Sequence, residues 1–490
     1  TEDDLLVQTP EKFKERFNID VRIKQEVIKI DKEKKKLQIK NKATGEIYIE
    51  NYDKLVLSPG AEPINPFKGV KSDRIFTIRN VKDAEKVKTF IENNNPKSAV
   101  IVGGGYIGVE MAENLSEYTM EVSIVEKAPH LISIIDNDMA HFIHKEIKKH
   151  GVKVYVNEGV NKIEEHEKLL LTLDNGKIET DLVILCIGVR PETNLAEESG
   201  INTNEKGAII VNNKMQTSNK DIYALGDAVE VKNTITGERN GIALAGPANR
   251  QARIVANNIN GIESSYEGFI GSSILKIFNY SLGIVGLSER ACKNLDIPYK
   301  IMIISPYSHA TYYPGAKMLT IKAIYNSKTS QILGAYVWGK SSVDKITDIL
   351  SVAIQNKMGA ADISALELCY APPYSSAKSP VNILGNAIEN EMNELVDTIA
   401  VEELKNKENL YILDVRTIEE YNISHIEGAI NIPLDELREN IEKLDKSKEI
   451  IVHCHSGLRS YLACRILKQK GYNVKNLIGG YIMYDIMKNK

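Results

Sequence analysis

Ser98-Ala-Val-Ile-Val-Gly-Gly-Gly-Tyr-Ile-Gly-Val-Glu110 reads as a strand, a tight turn and the opening of a helix. Ala99 to Val102 is a short unbroken apolar run, the pattern of a parallel strand buried on both faces. Gly103, Gly105 and Gly108 fall on the G-x-G-x-x-G spacing, and Val109 to Leu115 continues as a helix. Gly103 permits the turn, Gly105 lets the backbone approach a pyrophosphate, and Gly108 lets the helix lie close to the strand. The phosphates would sit at the helix start, beside Tyr106 and Ile107, where free N–H groups and the helix dipole favour negative charge. A second apolar run, Glu121 to Val125, ends at Glu126, near the offset of about twenty residues at which an acid accepts from a ribose 2′-hydroxyl. Gly103, Gly105, Tyr106, Ile107, Gly108 and Glu126 therefore predict a dinucleotide site. Glu126 favours NADH, because a carboxylate repels a 2′-phosphate, while Lys127 beside it leaves NADPH open.

The totals set the frame. At 490 residues the chain is too long for one domain, and length suggests about three. A hydrophobic share of 43% lets each bury a core. The net charge of −4 points to neither nucleic acid nor an anionic membrane as a partner. No apolar run reaches the ~18 residues of a transmembrane helix, and the acidic opening Thr1-Glu-Asp-Asp has none of the apolar segment of a secretory signal. The cysteines Cys186, Cys292, Cys369, Cys454 and Cys464 are scattered, odd in number and free of C-x-x-C. That usage predicts a cytoplasmic protein with neither a disulfide framework nor a metal site.

Leu5 to Phe17 reads as a helix, and Val21 to Ile30, Lys36 to Ile39 and Ile47 to Ile49 as strands of a small antiparallel sheet. Lys32 to Lys36 reads as a solvated turn between them. Tyr52-Asp-Lys-Leu-Val-Leu-Ser-Pro-Gly-Ala61 is an apolar strand running into a glycine turn, and Asp181-Leu-Val-Ile-Leu-Cys-Ile-Gly188 repeats the pattern. Two such strands flanking the nucleotide fingerprint predict two nested nucleotide domains. In Asp221-Ile-Tyr-Ala-Leu-Gly-Asp-Ala228 a strand ends at Gly226-Asp227, where a carboxylate can bond a ribose or ribityl hydroxyl. A helix, Leu244 to Ile259, follows.

In this order the motifs resemble the flavin-dependent pyridine-nucleotide disulfide oxidoreductases over roughly residues 1 to 385. The resemblance implies FAD against Ser58, Gly60, Gly226, Asp227 and Ala245, and NADH or NADPH at the Gly103 turn with Gly188. The family begins with its own G-x-G-x-x-G and a redox-active cysteine. Neither stands between Thr1 and Gly60, so the FAD domain is expected to be incomplete, without its ADP-binding segment.

From Asn260 to Gly385 the chain resembles the dimerisation domain of that family, with five antiparallel strands and a helix from Val343 to Lys357. Two tyrosine clusters stand out, His309-Ala-Thr-Tyr-Tyr-Pro-Gly315 and Leu368-Cys-Tyr-Ala-Pro-Pro-Tyr374. The paired prolines make the second a loop. Phenols suit thiol chemistry, because they can donate to a developing thiolate. The second cluster resembles the coenzyme A-disulfide reductase branch, in which partner-subunit tyrosines reach the substrate. The resemblance assigns that role to Tyr370 and Tyr312, with Tyr374 and Tyr313 as alternatives, and implies a homodimer. Cys369 reads as a packed thiol, and Cys186, Cys292 and Cys464 as core or incidental residues.

Near the C-terminus, Leu410-Tyr-Ile-Leu-Asp-Val-Arg416 and Ile450-Ile-Val-His-Cys-His-Ser-Gly-Leu-Arg-Ser460 are strands, the second running through a loop into a helix. Cys454 stands where its strand stops. A loop curled round the sulfur aims successive N–H groups at it, and such a field favours the thiolate, the nucleophile of the pair. Arg459 closes the loop. His453 and His455 read as loop-packing residues. These segments resemble the rhodanese sulfurtransferases. The four residues between Cys454 and Arg459 match the sulfurtransferase spacing, whereas the related phosphatases use one more.

The expected class is α/β: two nested Rossmann-like FAD and NAD(P)H domains, the first incomplete, an α+β dimerisation domain and an α/β rhodanese domain. The expected division is 1–95 and 216–260 for the FAD domain, 96–215 for NAD(P)H, 261–385 for dimerisation, 386–397 as linker and 398–490 for rhodanese. The expected activity is NAD(P)H-dependent reduction of a coenzyme A disulfide, persulfide or polysulfide, coupled to sulfane-sulfur transfer through Cys454. Joining two such domains raises the effective concentration of one product at the next site. Two rivals remain. One is an NADH oxidase or peroxidase on the same scaffold, and the other is a flavin-free sulfurtransferase with a redox-inactive dimerising body.

Overall fold

A computed structural model of the chain describes residues 8–404 and 410–488. They fall into two units, each described by itself: 1–97, 162–171 and 177–269 in the first, 98–161, 172–176 and 270–490 in the second.

The first unit is interrupted in sequence, and it takes in 177–215, which the sequence had grouped with the Gly103 turn. Its three-stranded antiparallel sheet joins Gln25–Asp31, Lys36–Asn41 and Ile47–Asn51. Leu55–Leu57 pairs in parallel with Ile222–Ala224, and Ile75–Thr77 with Leu182–Leu185. The parallel pairing brings the Ser58-to-Gly60 turn and the Gly226-Asp227 turn to the same, C-terminal end of their strands. Ile209, Met215, Ile222 and Ala224 centre the core. The helix before this sheet runs from Pro10 to Phe17, started by Thr9 as N-cap; Leu5 to Val7 of the expected helix lie outside the described residues. The lysine turn is less solvated than expected. Lys35 pairs with Asp221 at 2.6 Å, and Lys32 donates to the Gly200 carbonyl at 2.6 Å.

In the second unit Ser98–Val102, Glu121–Glu126 and Lys153–Val156 are consecutive parallel strands. Helices Tyr106–Ser116 and Asn137–Lys149 follow the first two. The expected antiparallel sheet is present, in the order Ser273–Ile277, Tyr280–Gly286, Ile332–Gly339, Leu319–Asn326, Tyr299–Ile304. Ile332–Gly339 is buried along its whole length, because both faces are covered. Helix Val343–Gln355 lies so close on one face that a Cβ at Gly283 would sit 1.8 Å from Thr347 Oγ1. On the other, Phe142 of helix Asn137–Lys149 lies 5.9 Å from the Trp338 ring.

Residues 386–397, expected as the linker, are helical as far as Met392. Helix Pro380–Met392 starts earlier, capped by Ser379, and buries Leu384 and Ile388 completely. Its Glu391 accepts from Lys300 Nζ at 2.9 Å, Tyr325 Oη at 2.6 Å and Thr398 Oγ1 at 3.0 Å, so polar residues here are structural.

The C-terminal sheet is parallel throughout: Asp397–Ile399, Asn473–Leu477, Glu449–His453, Tyr411–Asp414, Ile430–Asn431. Its core surrounds Leu413, Ile450, Val452 and Leu467. This part is docked on the rest of the unit. Gly479 N–H donates to the Ile303 carbonyl at 3.2 Å, and Lys145 pairs with Asp485 at 3.1 Å.

Candidate functional site

The nucleotide turn has the geometry its glycines predict. Gly103 has φ +104°, and a Cβ on Gly108 would lie 2.0 Å from the Gly103 carbonyl oxygen. Nothing lies within 4 Å of where a Gly105 side chain would begin, which leaves room over that backbone. Gly105 is the N-cap of helix Tyr106–Ser116 and offers no side-chain cap, so the first N–H groups stay open to an anion. Glu126 ties the turn together, accepting from Gly104 N–H and Ala128 N–H at 2.6 Å each. Each oxygen keeps a lone pair for a ribose hydroxyl. The residues present thus fit a dinucleotide. Tyr106 differs from expectation in one respect: its phenol bonds Ser273 Oγ at 2.7 Å, so its backbone rather than its side chain borders the turn. Ile107 is exposed.

In the first unit, Gly60 and Gly226 adopt φ +77° and +79°, conformations a Cβ disfavours. Asp227 pairs with Arg79 at 2.8 Å, and a Cβ on Gly60 would stand 3.1 Å from the same guanidinium. Gln251, buried, accepts from Gly226 N–H at 2.8 Å and holds the turn. Helix Ala245–Ile259 begins without a side-chain cap. A cleft of about 640 Å³ has Asp227, Ala61, Arg190 and Arg239 in its wall. A carboxylate, close-approach glycines and an open helix start fit the ribityl and phosphate part of a flavin nucleotide. Gly188, φ +105°, bonds through its carbonyl to Ile64 N–H at 3.0 Å. Neither Arg79 nor Gln251 carries a motif, and sequence reasoning missed both.

The two tyrosine clusters meet. Tyr312 Oη and Tyr370 Oη are 2.7 Å apart, and the side chains are 74% and 47% exposed. That hydrogen bond, with a little burial, raises the Tyr312 pKa. Tyr313 and Tyr374 are also exposed. Cys369 is exposed rather than packed, and it stands in the proline loop, outside any strand or helix. Cys186 is half-buried and pushed up to about 12 by burial, while Cys292 and Cys464 are buried.

Cys454 lies at the end of strand Glu449–His453, 1% exposed. Gly457 N–H donates to its sulfur at 3.1 Å and Ser460 Oγ at 3.4 Å. The loop carbonyls point the other way: Cys454 O accepts from Tyr481 N–H at 2.8 Å and His455 O from Ile482 N–H at 3.1 Å. Gly480 permits this, since a Cβ there would be 2.6 Å from Cys454 O. Arg459 forms a fork with Glu420, at 2.6 and 2.7 Å. Arg416 forks on Asp414, with 2.7 Å for Nη2 to Oδ2. His453 packs 3.5 Å from Asp414, and burial lowers its pKa to about 4. It is a packing residue.

A family model for pyridine nucleotide-disulphide oxidoreductases matches residues 4–252. The chain belongs to that family. The family's dimerisation domain matches 272–380, and a rhodanese-like domain matches 398–484. The coenzyme A disulfide reductase of Staphylococcus aureus is 35% identical over 382 residues, 78% of this chain and 86% of that protein. A NADH oxidase of Methanocaldococcus jannaschii is 36% identical over 384 residues, 78% and 85% of the two chains. The crystal structure of reduced Bacillus anthracis CoADR-RHD matches with TM-score 0.94 at 44% identity, covering 99% of this chain and 88% of that one. A NAD-dependent persulfide reductase from A. fulgidus matches with TM-score 0.93 at 33% identity, covering 99% and 90%. No helix among the described residues is long and apolar enough to cross a membrane.

Proposed function

We propose that this family member is a flavin-dependent NAD(P)H reductase of coenzyme A disulfide, coenzyme A persulfide or polysulfide, coupled to sulfane-sulfur transfer through Cys454. The observation that carries the reading is the Cys454 cradle in a chain that also holds the nucleotide turn and the phenol pair. Bound FAD would supply a two-electron relay between the nicotinamide and a sulfur substrate. Ser58, Gly60, Gly226, Asp227 and Ala245 would hold it. The Gly103–Gly108 turn would orient the dinucleotide, and Glu126 would favour NADH by repelling a 2′-phosphate, while Lys127 beside it leaves NADPH open. One of the two phenols at Tyr312 and Tyr370 donates to the other, which leaves the second proton for a departing thiolate. In a homodimer built through the dimerisation domain this pair would serve the partner's substrate. At Cys454, Gly457 N–H and Ser460 Oγ hold the sulfur's charge. The likeness to the A. fulgidus persulfide reductase along 99% of the chain supports the same reading.

Oxygen reduction is a second reading, supported by the identity with the M. jannaschii NADH oxidase. NADH consumption by the purified chain separates the two. Under argon, turnover is expected with coenzyme A persulfide or disulfide and not without them. Turnover with air alone, unaffected by either sulfur substrate, would overturn the proposal.

A further inference from the structure

We propose that Glu420 sets which donors load Cys454: by matching Arg459 it suits the cradle to organic persulfides and turns it against the thiosulfate dianion. This rests on reading Cys454 as the sulfur carrier. Glu420 is held from two sides. In helix Ile418–Ile423 it forms a capping box, with Glu420 N–H on Thr417 Oγ1 at 3.3 Å and Thr417 N–H on Glu420 Oε2 at 3.0 Å. Across 39 residues of sequence its two oxygens take the two terminal nitrogens of Arg459, at 2.6 and 2.7 Å. Both side chains are about one-third exposed, 34% and 33%, so the pair reaches solvent beside the loop that holds Cys454.

The second guanidinium near this site is equally committed. Arg416 is 3% exposed, forks on Asp414 and donates to the Ser424 carbonyl at 2.7 Å. Each arginine therefore faces one carboxylate, and the two pairs carry no net charge. A dianion entering here gives up water without gaining a free cation, and meets the Glu420 carboxylate at close range. A donor whose reacting end carries one negative charge or none meets less of that opposition, and the phosphates of a coenzyme A persulfide lie a pantetheine arm away from its sulfur.

The chemistry balances for both donors. Cys454 Sγ, as thiolate, attacks the outer sulfane sulfur. The new Sγ–S bond forms as the donor's S–S bond breaks, and the bonding pair leaves on the other atom. With a persulfide the leaving group is a thiolate, which takes a proton from water. With thiosulfate it is sulfite. No net oxidation occurs in either case, so donor charge is what distinguishes them.

The test uses the full chain and measures second-order rate constants for adding the mass of one sulfur atom to the Cys454 peptide. The donors are sodium thiosulfate and the persulfide of 2-mercaptoethanol, which carries at most one negative charge. The wild type is expected to favour the persulfide. Glu420→Gln keeps the cap, because glutamine also serves in a capping box, and removes the charge. It should raise the thiosulfate-to-persulfide ratio about tenfold, or ~1.4 kcal/mol. Arg459→Gln, which leaves Glu420 unmatched, should move the ratio the other way, and it decides the matter if the first variant folds poorly. A ratio that stays within about twofold in both variants, or a wild type that prefers thiosulfate, overturns the proposal. Absence of the added sulfur with either donor would show instead that the carrier reading has failed, and the proposal with it.

Discussion

Lys322→Met removes an ammonium that no water reaches. Lys322 is 0% exposed, and its Nζ lies 2.5 Å from Glu289, 2.7 and 2.9 Å from Asp138 and 3.2 Å from Asp136. Burial alone would lower the lysine pKa. The carboxylates of Asp138, Asp136 and Glu289 outweigh it and hold the group well above its usual value. A methionine fills similar volume and leaves three carboxylates facing one another. Breaking a buried pair in this way costs about 3–5 kcal/mol. For a unit of this size, 1 kcal/mol shifts a melting midpoint by roughly 2–4 °C, so a fall of about 10 °C is expected. The chain's one tryptophan reports it directly, since Trp338 is two residues from Tyr336, the register partner of Lys322 in the sheet. Protonation relieves the repulsion among the bare carboxylates, so the deficit should be larger at pH 8 than at pH 5.5. The loop before Asp136 also supports the nucleotide turn through Ile132 N–H and Gly104 O at 2.8 Å, and KM for NADH should rise several-fold. A variant within about 1 kcal/mol of the wild type at pH 8, or a deficit independent of pH, would refute the reasoning.

Other outcomes follow from contacts already described. Gly108→Ala places a Cβ against the Gly103 carbonyl, and NADH affinity by calorimetry should fall at least about tenfold. Tyr312→Phe and Tyr370→Phe should each lower kcat for coenzyme A disulfide about tenfold, and the double variant should lose less than the product, because the phenols act through one hydrogen bond. His453 and His144 (in helix Asn137–Lys149, its Nε2 accepting from Leu131 N–H at 3.0 Å) are each held near 4 by burial against an ordinary 6.5. The unfolded chain then binds more protons between pH 6.5 and 4, so stability falls as pH falls through that window, by up to ~3 kcal/mol for each. Unfolding midpoints that stay flat from pH 7 to 4.5 would count against this.

The parts legible in the sequence were those whose chemistry is local. Gly103, Gly105 and Gly108, within six residues, define the nucleotide turn, and a cysteine, a glycine and an arginine in six define the sulfur cradle, so spacing carried both. The strands of the dimerisation sheet were legible because their apolar runs are short and bounded by turn residues. Tyr312 and Tyr370 could be singled out, yet only folding puts their oxygens 2.7 Å apart. Pairs made across long stretches left no periodic trace. Lys322 finds Asp138 across 184 residues and Arg79 finds Asp227 across 148, and neither arginine nor lysine differs in sequence from its exposed neighbours. Within residues 386–397 the burial of Glu391, at the centre of three hydrogen bonds, was hidden for the same reason: its partners Lys300, Tyr325 and Thr398 stand elsewhere in the chain.

The central claim is that sulfur carried on Cys454 is spent by the reductase in the same chain. The direct measurement loads Cys454 with one sulfane sulfur, removes the donor, and adds NADH and coenzyme A under argon. The account predicts that one NADH is oxidised and one sulfide released for each sulfur lost from Cys454. Cys454 keeping its sulfur while NADH stays unchanged, or NADH oxidation only on admitting air, would contradict it.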